Sequence, residues 1–331
     1  MNSNGSFLLS HALLGQLCIP EAVKRRMEAV MERIYKYFSF FVVIVLAVLT
    51  LFLLIIPELP GMAQLMFDEE LTGALSEGES SGISEVRYYA SGINDSYSKL
   101  RSWGIMRGVN GELPKADPGT PELLSKYNSL YIADTSKKTI YLTFDEGYEN
   151  GYTPKILDVL YENKVNAIFF ITGPYLDKEE ALVQRMLDEG HAIGNHTINH
   201  KSLPLLDDKE IEDEVVGLDR RFHSKYGRNM VFLRPPKGEY SERSLSITSK
   251  LGYVNVFWSF AYDDWAVDRQ RGWEYAFKKV TANLHNGAVI LLHAVSRDNA
   301  EALDAIIHHA RESGYEFGDV FELEKYARGE G

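Results

Sequence analysis

The stretch "TIYLTFDEGYENGYTPKILDVLYENK", Thr139 to Lys164, decides the fold. Its first six residues, rich in β-branched and aromatic side chains, predict a strand. From Thr153 the apolar residues Ile156, Leu157 and Leu160 recur at helical spacing, with Pro154 in the first turn, where its missing N–H costs nothing. Between strand and helix stand two adjacent carboxylates, Asp145 and Glu146, and a glycine-bearing turn. Ending an apolar strand on two charges is costly unless the charges have a task.

The same alternation continues to the C-terminus. "AIFFIT", "HAIGN", "MVFLR", "VNVFWSF", "AVILLH" and a weaker "YEFGDV" read as strands. Between them "EEALVQRMLDEG", "DKEIEDEVVGLDRRFHSKYG" and "EALDAIIHHARESG" read as amphipathic helices, each closed by Gly. Repeated strand and helix predict parallel strands with helices outside. Seven or so units across residues 139–331 fit a barrel better than an open sheet, although their number alone does not choose between the two.

The N-terminal part differs. Residues 38–56, "FSFFVVIVLAVLTLFLLII", are 19 positions without a charge, close to the roughly 20 that cross a bilayer as a helix. Lys24, Arg25, Arg26, Arg33 and Lys36 precede this run, and the next basic residue after it is Arg87. The positive-inside bias therefore predicts a single-pass anchor in the cell membrane, with residues 1–37 cytoplasmic and the remainder extracytoplasmic. Pro57 and Glu58 follow the run instead of the small residues of a cleavage site, which favours an uncleaved anchor. Residues 57–95, with "LSEGESSGISE", read as a flexible tether, and 96–138 as an ordered extension packing on the barrel. Beyond residue 56 the chain has 30 basic against 44 acidic residues, a poor composition for binding nucleic acid. No protein partner is legible. The single cysteine, Cys18, lies before the span, so an exported metal site must be built from His and carboxylate.

The polar clusters sit at predicted strand ends. "TIYLTF" leads to Asp145 and Glu146, "HAIGN" to His196, "MVFLR" to Arg234, "VNVFWSF" to Asp263 and Asp264, and "AVILLH" to His293. In a parallel barrel those ends share one face, where active sites lie. "HTINH" spaces His196 and His200 four apart, so on a helical turn both rings would face one metal ion. A carboxylate from the first strand end would complete a site able to polarise a carbonyl and activate water. Asp264 is placed to orient His293 as a general acid. His191, His223, His285, His308 and His309 lack such context and read as structural or surface residues.

"TFDEG", "HTINH", "RPPKG", "DDW" and "LLH", in this order, resemble the five motifs of the polysaccharide deacetylases, carbohydrate esterase family 4, over about residues 139–325. "FDEGYENGYTPKILDVL" and "LLHAVSRDNAEALDAI" are similar to the branch of delta-lactam-biosynthetic de-N-acetylases, which act on muramic acid in spore-forming bacteria. The resemblance implies a distorted (β/α) barrel and hydrolysis of the N-acetyl group of an amino sugar in peptidoglycan glycan strands. It implies Asp145 as general base, His293 as general acid with Asp264 as its partner, and Arg234 beside the base. It implies one divalent metal ion, zinc first, on His196 and His200, and a substrate groove shaped by Trp265, Leu291, Pro235 and Arg297. Acetate and a free amine result, and in the muramic branch the amine then closes on the lactyl carboxyl as a lactam. Two other readings stand beside it: a deacetylase of N-acetylglucosamine in peptidoglycan or chitin-like glycans, and an inactive glycan-binding membrane protein.

At one position the chain departs from the family pattern. The second residue of the acidic pair is usually an aspartate that binds the metal, an Asn can occupy it in the muramic branch, and here it is Glu146. The extra methylene moves the carboxylate by more than about 1 Å, against a tolerance of roughly ±0.2 Å in ligand distances. Direct coordination, contact through water, and no contact all remain open for Glu146 at this point.

Overall fold

The computed structural model describes residues 96–108 and 112–330. Its centre is an eight-stranded sheet. The strands are β1 (Ser129–Leu130), β2 (Thr139–Glu146), β3 (Ala167–Ile171), β4 (Ala192–Asn195), β5 (Phe232–Leu233), β6 (Val254–Val256), β7 (Ala288–His293) and β8 (Glu316–Phe317). They lie in the order β7-β2-β3-β4-β5-β6-β1, with β8 pairing the start of β2, and every ladder is parallel. The chain after β6 crosses the remaining seam: Ser259 N donates to Val289 O at 2.9 Å and Leu291 N to Phe260 O at 2.9 Å. The architecture is a parallel-strand α/β half-barrel; the alternation of strand and helix predicts its parallel strands.

The connections carry the helices α1 (Thr120–Lys126), α2 (Thr153–Asn163), α3 (Gly173–Lys178), α4 (Glu180–Asp188), α5 (Asp208–Tyr226), α6 (Glu242–Lys250), α7 (Trp273–Thr281), α8 (Arg297–Glu312) and α9 (Glu322–Arg328). The ends of α5 are written in the sequence. Asp207 and Glu210 form a reciprocal capping box at its start, and Gly227, at φ 65°, ends it in the left-handed region.

Alternation along each strand divides the protein into two apolar layers. On β2, Ile140, Leu142 and Phe144 face the helices, where they join Ile156, Leu157 and Leu160 of α2. The intervening Tyr141 faces inward with Ile168 and Phe170 of β3, Val254 and Val256 of β6 and Val289 of β7. The same parity therefore sends Thr143 and Asp145 to the barrel interior and Glu146 to the helix side.

One expectation is extended and one needs correction. The extension before residue 139 is more than an appendage, because Ser129 and Leu130 form a sheet strand against Asn255 and Val256. A two-residue strand is too short to leave an alternation pattern in the sequence. The "HTINH" segment is not helical: it is a loop after β4 with Thr197 at φ 67° and His200 at φ 54°. Residues 1–95, including the predicted span at 38–56 and the tether, lie outside the described residues. Among the described residues no helix is long and apolar enough to cross a membrane.

Gly194 of β4 has an inward position beneath the rim. A Cβ there would come within 2.4 Å of the Phe170 ring, and that ring lies under the Arg234 guanidinium at 4.1 Å. We expect Gly194→Ala to destabilise the domain by about 1–3 kcal/mol through overpacking. Equilibrium denaturation of parent and variant checks this, and unchanged stability would show that the ring has room to move.

Candidate active site

The inward positions of neighbouring strands bring the predicted residues together. β2 and β7 are paired along their length, so that His293 is the direct register partner of Asp145. Both stand at the C-terminal end of the sheet, where each strand runs out into a loop.

Arg234, immediately after β5, organises the floor beneath them. It is fully buried, and its guanidinium is satisfied on three sides. Nη1 donates to Asp145 Oδ1 at 2.7 Å, Nη2 to Thr143 Oγ1 at 2.8 Å and Nε to the Val256 carbonyl at 3.0 Å. A buried guanidinium is tolerable only when paired and bonded in this way. Burial by itself would raise the Asp145 pKa, but the nearby positive charge, Arg234 first, outweighs it and leaves the carboxyl below its usual value. Asp145 is therefore ionised at neutral pH, as a general base must be.

The backbone of Arg234 holds the next group. Its carbonyl lies 2.8 Å from His196 Nδ1, which turns His196 Nε2 towards His200 Nε2 at 3.1 Å and Asp145 Oδ2 at 3.5 Å. Burial lowers the pKa of both rings, that of His196 to about 4, so both are neutral near pH 7. Their convergence comes from the left-handed turn at Thr197 and His200, reinforced by Thr197 Oγ1 accepting from His200 N at 3.0 Å. Two neutral imidazole nitrogens converging at this distance, one ring fixed through its other nitrogen by a carbonyl, is a donor arrangement that fits a divalent cation.

Glu146 is not brought to that pair. It is wholly buried on the helix side of β2, facing Glu149 of the following turn, Thr153 at the start of α2 and Tyr175 of α3. Neither carboxyl oxygen has a hydrogen-bond partner among the described residues. Burial, then the charges of Glu149 and Asp145, push its pKa well above the usual carboxylate value. Among the described residues no group of three or more His, Cys, Asp or Glu side chains is gathered as a metal site. The reason is strand parity: Asp145 and Glu146 are consecutive in an extended strand, and only one of them can face inward.

Across the rim, Asp264 grips His293 twice. Oδ1 lies 2.7 Å from His293 Nδ1, and Oδ2 accepts the His293 backbone N–H at 2.8 Å. Burial opposes a charged ring here, but Asp264 outweighs it and raises the His293 pKa above the usual histidine value. With Nδ1 engaged, Nε2 is the nitrogen left to serve a substrate. Asn299 of α8 fixes Asp264 in turn, donating to Oδ2 at 2.6 Å and to the His293 carbonyl at 3.2 Å, and Tyr262 hydroxyl donates to the Asn299 side-chain carbonyl.

Thr143 and Asn299 are the supporting residues that reading the motifs did not single out. Each lies inside a quoted segment, but its task depends on a contact far away in the chain. Of the expected groove residues, Leu291 shares the inward side of β7 with His293, two positions on, and is buried. Pro235 is buried ahead of the turn Pro236–Gly238, and Trp265 is 57% exposed, its ring approached by Arg269 at 5.9 Å. Arg297 opens α8 and meets Asp298 at 3.4 Å. His191 and His285 are buried structural residues, the first accepting from Ala167 N at 3.1 Å and the second bonding Ser259 at 2.9 Å.

A family model described as polysaccharide deacetylase matches residues 132–256. A Bacillus subtilis protein named peptidoglycan-N-acetylmuramic acid deacetylase PdaA is 44% identical over 223 residues, 67% of this chain and 85% of its own length. The solved PdaA structure, titled a family 4 carbohydrate esterase, superposes with a TM-score of 0.67 over 68% of this chain and 97% of that one. A Bacillus cereus protein named peptidoglycan-N-acetylglucosamine deacetylase is 34% identical over 196 residues, 58% of this chain and 90% of its own length. With this level of identity spread over most of such relatives, the chain belongs to the polysaccharide deacetylase family, carbohydrate esterase family 4.

Proposed function

We propose that this protein is a membrane-anchored, metal-dependent hydrolase that removes the N-acetyl group from peptide-free N-acetylmuramic acid in peptidoglycan. The observation that carries the chemistry is the pairing of Asp145 with His293 on adjacent strands, their environments pushing one towards the ionised base and the other towards the protonated acid. Hydrolysis of an amide needs both: a base to take the proton of the attacking water and an acid to protonate the departing nitrogen. In this reading Asp145 takes the water's proton as the new C–O bond forms. His293 Nε2 then gives its proton to the amine as the C–N bond breaks, and acetate and a free amino sugar leave.

His196 and His200 are the residues we assign to the divalent ion, zinc in the first instance, and Glu146 is not included. When bound, such an ion supplies electrophilic polarisation of the acetyl carbonyl and lowers the pKa of water. Arg234 holds Asp145 in place and ionised, Asp264 fixes the tautomer of His293, and Leu291, Pro235, Trp265 and Arg297 are assigned to the walls of the groove.

The muramic substrate is supported by the 44% identity to a protein named for that activity. The competing reading, a glucosamine deacetylase, is supported by the 34% identity to one named for the other. Acetate release from peptide-free glycan strands, peptide-bearing strands and chitin oligomers separates the two. We expect the first to react well and the second poorly. Turnover of chitin oligomers with none of the peptide-free strands would transfer the assignment to glucosamine.

The layout proposed for the whole chain is a cytoplasmic segment at 1–37, a span at 38–56, a tether at 57–95 and an extracytoplasmic deacetylase. A muramic δ-lactam product would place its action in spore cortex. Protease added to intact protoplasts should therefore digest the domain. Protection of the domain while an external control protein is cut would reverse the orientation.

Three substitutions test the roles. Asp145→Asn and His293→Ala should each lower kcat by about 10² to 10⁴, with the His196–His200 ion retained. In Asp264→Asn the His293 pKa loses the charge that raises it. The acid is then deprotonated at lower pH, so the alkaline limb of the kcat profile should move to lower pH. A limb that stays in place would detach it from His293.

A further inference from the structure

Helix α5 carries an acid in the row of residues it buries. Ile211, Val215, Leu218 and Phe222 form that row, and Glu214 lies in it, 5% exposed. A buried carboxyl must find donors, and Glu214 finds them in the loop after β4. Oε2 accepts from Asn199 N at 2.7 Å, Oε1 accepts from Asn199 Nδ2 at 2.8 Å, and Lys201 Nζ approaches Oε1 at 3.3 Å. The Glu214 carbonyl accepts from Ile198 N at 3.1 Å. One helical residue thus holds both chain neighbours of His200.

Other contacts close on the same loop. Asn195 Oδ1 accepts from Thr197 N at 2.8 Å while its Nδ2 donates to the Val215 carbonyl at 2.8 Å, which ties β4, loop and helix together. Gly173 N, at the start of α3, donates to the carbonyls of Thr197 and Ile198 at 3.2 and 3.1 Å, and a Cβ there would come within 2.8 Å of the Ile198 oxygen. Gly217 makes room for the Ile198 side chain, since a Cβ in its place would lie 2.7 Å from Ile198 Cδ1. The loop is pressed between two helices that meet it with glycine.

The clamp matters because the two rings are aimed differently. His196 is oriented through Nδ1 by the Arg234 carbonyl at 2.8 Å. The His200 ring is engaged among the described residues only through Nε2, by His196 Nε2 at 3.1 Å, so its own backbone must aim it. That backbone stands at φ 54°, with Thr197 at φ 67°, left-handed conformations that are unfavourable for residues other than glycine and most of all for a β-branched one. Thr197 Oγ1 secures the turn from within, accepting from His200 N at 3.0 Å, and Glu214 secures it from α5. We infer that Glu214 is a positioning residue for the cation site, holding the Thr197–His200 loop in the conformation that brings the two Nε2 atoms together and so setting the affinity of the pair for a divalent ion. Its carboxyl oxygens are taken up by Asn199 and Lys201, so it acts through the loop and is not itself a ligand. This inference rests on the assignment of His196 and His200 to the ion.

The test measures zinc binding by chelator competition to the metal-stripped full-length chain in detergent. The proteins are the parent, Glu214→Gln, the double variant Glu214→Gln/Asn199→Asp, and His200→Ala. Glu214→Gln keeps the shape of the side chain but sets an NH2 group against one of the two Asn199 donors. Its zinc Kd should rise by about tenfold or more, as when a group that orients a metal ligand is removed. The double variant exchanges donor and acceptor: the glutamine carbonyl accepts the backbone N–H of residue 199, and the glutamine NH2 donates to the new carboxylate. It should recover most of the lost affinity. Urea unfolding of the metal-free proteins is followed alongside, because a role in folding alone would lower the midpoint of Glu214→Gln and leave the Kd of the folded protein unchanged. That result would overturn the assignment, and so would a loss of affinity that the exchange does not restore. A zinc Kd that His200→Ala leaves at the parent value would instead remove the imidazole pair as the site of the ion.

Discussion

The buried Arg234 guanidinium is the interaction on which the site depends. It enters the barrel from the end of β5 and donates to Asp145 on β2, to Thr143 two residues earlier and to the carbonyl of Val256 on β6. Its own carbonyl fixes His196. One residue thus sets the ionisation of Asp145 and the orientation of an imidazole. Such a charge is expensive to bury, and the cost is offset only while every partner stays in place. Phe170 supports it from below at 4.1 Å, and Gly194 gives that ring its space. The demands of the chemistry reach through these contacts into the inner apolar layer.

On the other side of the rim the logic is repeated with opposite sign. Asp264 stabilises the protonated form of His293, and Asn299 and Tyr262 hold Asp264. Two titratable groups, neighbours across a parallel ladder, are set to opposite charge chiefly by Arg234 for Asp145 and by Asp264 for His293. A glycan-binding module has no use for such a division between base and acid. It belongs to a reaction in which a proton leaves one atom of the substrate complex and arrives at another.

Much of this was legible in the sequence because strand ends in a parallel α/β protein are local events. Asp145, His196, Arg234 and His293 each follow a short apolar run, and all four stand at the rim as expected. What was hidden depends on geometry that local pattern does not carry. The four-residue spacing of His196 and His200 suggested a helical turn, yet the rings meet through a loop with two left-handed residues. The strand Ser129–Leu130 is too short to show a period. Glu146 was the clearest ambiguity, and strand parity decides where it lies. Ile140, Leu142 and Phe144 face the helices, so Glu146 does too, and burial without a partner raises its pKa. Asn299 and Thr143 act only through contacts with residues distant in the chain.

The central claim is that Asp145 and His293 face one another as base and acid while His196 stays neutral beside them. Nitrogen-15 NMR of the histidine rings in the metal-free protein, followed across pH, tests it most directly, since the ring-nitrogen shifts report the protonation of each imidazole. The account predicts that His293 is more than half protonated at pH 6.5, where an unperturbed histidine is about half protonated. It also predicts that His196 remains neutral down to about pH 5, its pKa being lowered to about 4. A neutral His293 at pH 6.5, or a His196 that takes up its proton near pH 6, would contradict it.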